Sequence, residues 1–214
     1  MTKRVRLAVG RECVVYTEET PCDVNSQFQD GSFTYCVNTG QMGLKAYVRV
    51  PLKLFRFAFP DFKTFEIIVC DRPTGSNVEA VKQVFFNGEG LWIQGEPESW
   101  FTKETLEAIR KCMGLLREHR DAITSDDVEP FVPTLVGGVF ANRFGSGRKV
   151  VWTLYNANPL TVRRPVLEVE HIKGARYLDL WNGREIRPRV EGGRAIISLT
   201  IGPHDVGMVA RIAP

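Results

Sequence analysis

Residues 124–133 read TSDDVEPFVP, and the periodicity of the chain changes across them. That break constrains the fold more than any other feature. Beyond it, short apolar runs follow one another with turn signals between. GVFANRF and KVVWTLYNAN flank a Gly-Ser-Gly turn, and RPVLEVEH, ARYLDLWNG, RAIISLTIG and VGMVARI come after. Leu167/Val169 and Ile197/Leu199/Ile201 alternate with polar residues, the period of a strand with one buried face. Asn182-Gly183 is a hairpin-turn pair. Roughly six or seven strands at this spacing predict an antiparallel β-sandwich of about 80 residues. Pro130 and Pro133 mark the boundary, dividing the chain into residues 1–128 and 129–214.

Upstream the pattern is mixed α/β. Val14–Tyr16 reads as a strand that runs at once into Thr17, Glu18 and Glu19. Phe65–Val69 is a second apolar strand, stopping at Asp71. A helix starts after Ser76 or Asn77, with Glu79 in its first turn. The clearest helix is FTKETLEAIRKCMGLLREHRDAI. Thr102 caps it, Glu104 favours its N-terminus, and Leu106, Ile109, Met113 and Leu116 give one apolar face.

Composition bounds the function classes. The 214 residues are 43% hydrophobic and 25% charged, enough for a soluble chain with a real core. Net charge is only +3, with no basic cluster longer than Arg163-Arg164, which argues against nucleic acid or an anionic membrane as partner. The start MTKRVRLAVG is too short and too broken by Arg6 for a signal peptide. No stretch approaches the roughly 20 apolar residues of a membrane span. Five cysteines, at positions 13, 22, 36, 70 and 112, form no CxxC pair and read as free thiols of a reducing, cytoplasmic setting. The histidines at 119, 171 and 204 show no metal-ligand spacing. No nucleophile elbow, Walker loop or dinucleotide fingerprint is present.

The order of segments carries a resemblance. LLREHRDAITSDDVEPFVPTLVGGVFANRF, VVWTLYNAN, YLDLWNG and GPHDVGMVARI together resemble the tail of a (β/α)-barrel glycoside hydrolase with its C-terminal β-sandwich. VVYTEETPCDVNSQFQDGSFTY, RFAFPDFKTFEI and FFNGEGLWIQG resemble the last strands of such a barrel, distantly similar to α-galactosidase and α-amylase-like enzymes. A full barrel needs eight strand–helix units, typically about 250 residues. The residues before the sandwich supply about three. The resemblance therefore implies a partial (β/α) barrel followed by an antiparallel β-sandwich: the C-terminal part, fragment or split product of a larger enzyme. It implies a carbohydrate substrate, O-glycosyl hydrolysis by carboxylates and no cofactor or metal. It also implies two open parallel-strand edges, to be met by a complementing barrel fragment or by homo-oligomerisation. The rival reading is a non-catalytic carbohydrate-binding or structural module.

Glycosidases usually need two carboxyl groups, about 5–5.5 Å apart for retention and roughly 6.5–9.5 Å for inversion. Barrels present such groups at C-terminal strand ends. Glu18, Asp71 and Glu89 are candidates by that placement. Glu18 and Glu19 point opposite ways in an extended segment, and Glu18, with the parity of Val14 and Tyr16, is the expected acid/base. Glu89, between two glycines, and Asp23, after Pro21, are expected on the substrate side. Asp23 serves equally as a helix cap, and Asp30-Gly31 reads as a turn. Trp92, following the glycine loop, is an aromatic platform or core. Arg56 and Asp61 in RFAFPDF are further substrate candidates. Their plainer role is a bend packed by Phe55, Phe57, Phe59 and Phe62, with Arg56 in solvent.

Overall fold

The computed structural model describes residues 1–18, 23–34, 52–68, 71, 76–93 and 95–214, the side chains at 23, 97 and 98 excepted. Four strands, β1 (Tyr16–Glu18), β2 (Gly31–Thr34), β3 (Lys63–Ile68) and β4 (Gly90–Ile93), form a parallel sheet in chain order. Parallel neighbours need crossover connections. The helices Leu54–Ala58 and Val78–Asn87 lie in those preceding β3 and β4. The strand that sequence reading does not count is β2, hidden behind Asp30-Gly31. Asp30 does not reverse the chain. Its carboxylate pairs with Arg6 and accepts the Val15 amide at 2.7 Å. Its backbone donates to Val15 O and accepts from the Lys63 amide, both at 2.9 Å. It ties together the starts of three strands.

One face of this sheet is covered by helices. Ser32, Thr34, Thr64, Glu66 and Ile68 point to that face and are buried, with Ile68 packed among Val81, Phe85 and Phe86. The Lys103–Glu118 helix follows its expected pattern. Thr102 caps it by accepting the Thr105 amide at 3.3 Å, and Ile109, Cys112 and Leu116 are buried. Leu106 and Met113 pack beside them. Burial pushes the Cys112 thiol up to about 12, so it is inert as a nucleophile. Cys22, Cys36 and Cys70 lie outside the described residues.

The second part is two antiparallel sheets. One is six-stranded, in the order β10 (Arg184–Ile186), β9 (Arg176–Asp179), β13 (Asp205–Ile212), β7 (Lys149–Asn156), β6 (Val139–Ser146), β5 (Val128–Glu129). The other is β11 (Arg189–Glu191), β12 (Arg194–Ile201), β8 (Val162–Glu170). They face each other across Trp152, Leu154, Leu167, Tyr177, Ile197 and Val209. Asn182-Gly183 turns β9 into β10, with Gly183 at φ 64°. The expected boundary at residue 128 falls inside β5, which pairs with β6.

Strand β7 is buried on both faces. Trp152 and Leu154 face the sandwich interior. Val151 and Tyr155 face the helices that cover the parallel sheet and share one apolar cluster with Phe85, Phe86 and Met208. The polar residues between them close the end of the Val78–Asn87 helix. Thr153 Oγ1 and Asn142 Nδ2 donate to Phe86 O at 2.6 and 3.0 Å. This supplies partners for a carbonyl that a helix C-terminus leaves unpaired. Among the described residues no helix is long and apolar enough to cross a membrane.

Candidate functional site

The other face of the parallel sheet, which no described helix covers, carries aromatic side chains around the buried Ile67. Register aligns Glu18 with Phe33, Phe65 and Gly90, and Ile67 with Trp92. Aligned residues on neighbouring strands share a face. Ring contacts agree with that assignment: Tyr16 meets Phe65 at 5.7 Å between centroids, and Phe33 meets Trp92 at 4.9 Å. Trp92 is 49% exposed, Tyr16 is 39% exposed, and Glu18 is exposed at the C-terminal end of β1. An exposed indole held by a second ring can stack on the C–H face of a sugar, and burying such a ring surface is strongly favourable.

The opposite, helix-covered face holds a polar cluster. Lys53 Nζ pairs with Glu66 Oε1, donates to Thr34 Oγ1 at 2.7 Å and stands 3.5 Å from Glu89 Oε1. Thr34 Oγ1 and Thr64 Oγ1 donate to Glu66 and Glu89 at 2.7 and 2.5 Å. The Lys53 amide donates to Asn87 Oδ1 at 2.8 Å. Glu89 Oε2 is buried without a hydrogen-bond partner. Burial raises the Glu89 carboxyl to about 7, opposed by Lys53 and reinforced by Glu66. Arg56 is 2% exposed; it donates to Ile123 O at 2.6 Å and leaves its other terminal nitrogen unpaired.

Glu89 and Arg56 line a cavity of 610 Å³ between the β4 edge and the Lys103–Glu118 helix. Its walls are apolar, with Leu91, Ile93, Ile109, Met113 and Leu116 among them, and its rim carries Lys63, Arg110, Arg117 and Arg120.

Glu18 and Glu89 therefore do not share a cleft. Alternation puts them on opposite faces, and β1 and β4 are three strand spacings apart, about 14 Å. That distance and the intervening sheet exclude them as a glycosidase acid pair. The reason is register. Glu89 precedes the first residue of β4, at that strand's N-terminal end, and the ladder sets Glu18 level with Gly90, so Glu89 is one residue out of step and takes the other face. Arg56 is not in solvent, because the Leu54–Ala58 helix turns it under the sheet. Asp61 is exposed ahead of β3, also at the N-terminal end. Asp23 opens the short helix Asp23–Ser26 after β1, and its side chain lies outside what is described.

Asp71 is buried and fully engaged. It accepts from the Thr102 amide at 2.5 Å, the Asn77 amide at 3.1 Å, Asn77 Nδ2 at 2.7 Å and Thr105 Oγ1 at 3.3 Å. Burial alone would raise its carboxyl, but the Thr102 and Asn77 donors hold it below the usual range.

Of the expected residues, the sheet brings Glu18 and Trp92 to one face with Phe33 between them, and Arg56 and Glu89 to one cavity. Phe33, Lys53 and Glu66 escape the sequence reading. Glu66 leaves one signal, a lone carboxylate inside the strand KTFEII. No group of three or more His, Cys, Asp or Glu side chains is placed to hold a metal among the described residues.

No protein-family model matches the chain, and no curated protein matches it in sequence. Solved structures do match in fold. A maltogenic α-amylase, AmyB, from Thermotoga neapolitana superposes with a TM-score of 0.62 at 12% identity, over 100% of this chain and 58% of the amylase. A GH27 β-L-arabinopyranosidase from Geobacillus stearothermophilus, solved with arabinose, gives 0.54 at 11%, over 100% and 54%. An α-galactosidase from Mortierella vinacea gives 0.55 at 11%, over 89% and 55%. The chain spans little more than half the length of these proteins, and its fold is similar to that of part of a glycoside hydrolase.

Proposed function

We propose that this chain is part of a glycoside hydrolase whose barrel is completed by further strands, and that it contributes Glu18 as the general acid/base. One observation carries the reading: Glu18, Phe33 and Trp92 share the open face of a parallel sheet, with the acid at a C-terminal strand end. Barrel enzymes work at that end. Trp92, backed by Phe33, stacks on the sugar. Glu18 protonates the glycosidic oxygen as the bond to the anomeric carbon breaks. Asp23, in the connection after β1, stands at the same rim. Glu89, Arg56 and Asp61 lie away from that face and take no part.

The open face carries a single carboxylate among the described residues. The second, as nucleophile or base, comes from an added strand. The scarcity of acids also favours a second reading, a module that binds sugar through Trp92 and Phe33 without cleaving it.

Turnover of a panel of aryl glycosides, with leaving-group release as readout, separates the two. Glu18→Gln is expected to lower kcat by about 10²–10⁴-fold, the usual weight of an acid/base group. Trp92→Ala is expected to raise KM. Unchanged turnover in Glu18→Gln removes Glu18 from the mechanism. Sugar binding sensitive to Trp92→Ala without any turnover leaves the binding module.

A further inference from the structure

We propose that the added strands come from a second copy of the same chain: two protomers close one eight-stranded barrel, the β4 edge of each lying parallel to the β1 edge of the other. This rests on the reading above, that the barrel is completed from outside the four strands described. A parallel sheet in chain order has two unlike edges. Here β1 has a ladder partner only in β2, and β4 only in β3, among the described residues. A two-fold axis along the barrel brings β1 of one copy beside β4 of the other twice over. The same contact thereby covers all four edges. Two four-stranded sheets give eight strands, the count at which a barrel's interior is just filled by side chains.

The flanks of the two edges are also complementary. Beside β4 the cavity of 610 Å³ leaves Leu91, Ile93 and Met113 with empty space against them. Beside β1 the apolar side chains stand out. Val14, just ahead of the strand, is 69% exposed, and the Thr2–Val9 helix, tied to the same entry through Arg6 and the Cys13 carbonyl, has no buried residue, with Leu7 73% exposed. An apolar hollow on one edge and apolar projections on the other suit a head-to-tail contact that closes after two copies. Open parallel edges of this kind otherwise invite uncontrolled association.

The pairing also supplies what one protomer lacks. Glu18 faces the uncovered side, which becomes the barrel interior. The second copy's Glu18 then projects from the opposite wall, so the single shared interior holds two such carboxylates at C-terminal strand ends.

Light scattering on a sizing column reads the assembly directly. The unaltered chain is expected at twice its 24.2 kDa mass. Solution X-ray scattering is expected to report one compact particle with the sandwiches outside. The double variant Leu7→Glu/Val14→Glu changes two side chains that are mostly in solvent in one protomer. It is expected to run as a monomer with an unchanged circular dichroism spectrum. A monomeric unaltered chain, a dimer that survives both substitutions, an elongated particle or an open ladder of multiples would each overturn the proposal. Failure here is distinct from failure of the glycosidase reading. A dimer without turnover removes the latter alone, and turnover by a monomer removes this assembly alone.

Discussion

Glu89 illustrates how little a side chain's neighbours in sequence say about its chemistry. Gly88 and Gly90 suggest a loop open to ligand, and the carboxylate is instead buried beside Lys53 and under the helices. Its folded-state carboxyl, raised to about 7 from an ordinary 4.5, holds its proton more tightly than in the unfolded chain. The stabilisation this gives is complete below about pH 4.5 and is lost as pH rises through 7, at most about 3 kcal/mol. His119 acts oppositely: burial and Lys149 lower its affinity for a proton, so its contribution falls as pH drops through 6.5. Comparing Glu89→Gln with the unaltered chain isolates the first effect. The amide still accepts from Thr64 but cannot ionise. Urea midpoints taken from pH 5 to 8 are expected to converge at the acid end, with the variant gaining stability relative to the parent toward pH 8. A constant difference across the range would mean Glu89 does not titrate there.

The elements differ in how much of them the sequence reveals. The Lys103–Glu118 helix is legible because its apolar spacing and Thr102 cap are local properties. The sandwich strands are legible for the same reason, through period-two alternation and the Asn182-Gly183 turn. Strand β2 is not, since GSFT becomes a strand only when β1 and β3 arrive on either side of it. The pairing of carboxylates is equally invisible, because a one-residue change of parity moves an acid to the other face of a sheet.

Asp71 shows a site-like signal with a purely structural outcome. An acid after an apolar strand is what a barrel enzyme displays, yet this one gathers the starts of two helices. Asp71→Ala leaves the Thr102 and Asn77 amides without their acceptor and is expected to cost about 1–3 kcal/mol, read as a lower denaturation midpoint at neutral pH. In the parent the contribution requires an ionised carboxylate. It is present above the ordinary Asp range and lost as pH falls through the lowered folded value. Gly88 makes a matching case at a helix end. It sits at φ 65°, ψ 35°, and a Cβ there would stand 3.0 Å from the Phe144 ring. Gly88→Ala is expected to cost about 1–2 kcal/mol for the left-handed backbone alone, with the ring contact adding to it.

At the scale of the whole chain, the two parts are coupled through β7. Its residues alternate between two apolar clusters, one lying wholly between the two antiparallel sheets and the other shared with the helices, so the helices do not keep a complete core without the sheet packed on them. Thr153 and Asn142 reach from the sandwich to the final turn of the Val78–Asn87 helix, and Tyr155 Oη donates to Glu79 Oε1 at 2.6 Å near that helix's start. Lys82 of the same helix pairs with Asp205 at 3.0 Å. A boundary drawn where periodicity changes is thus a boundary in sequence texture, with a continuous core beneath it. Met208 tests this, being fully buried on β13 within the cluster shared with the helices. Met208→Ala is expected to cost about 2–5 kcal/mol and to lower one calorimetric transition for the whole chain. It is also expected to speed amide exchange along the Val78–Asn87 helix, which belongs to the other part. Two resolved transitions, with only the upper or lower one displaced, would mean that the helix layer holds itself together without the sheet packed on it.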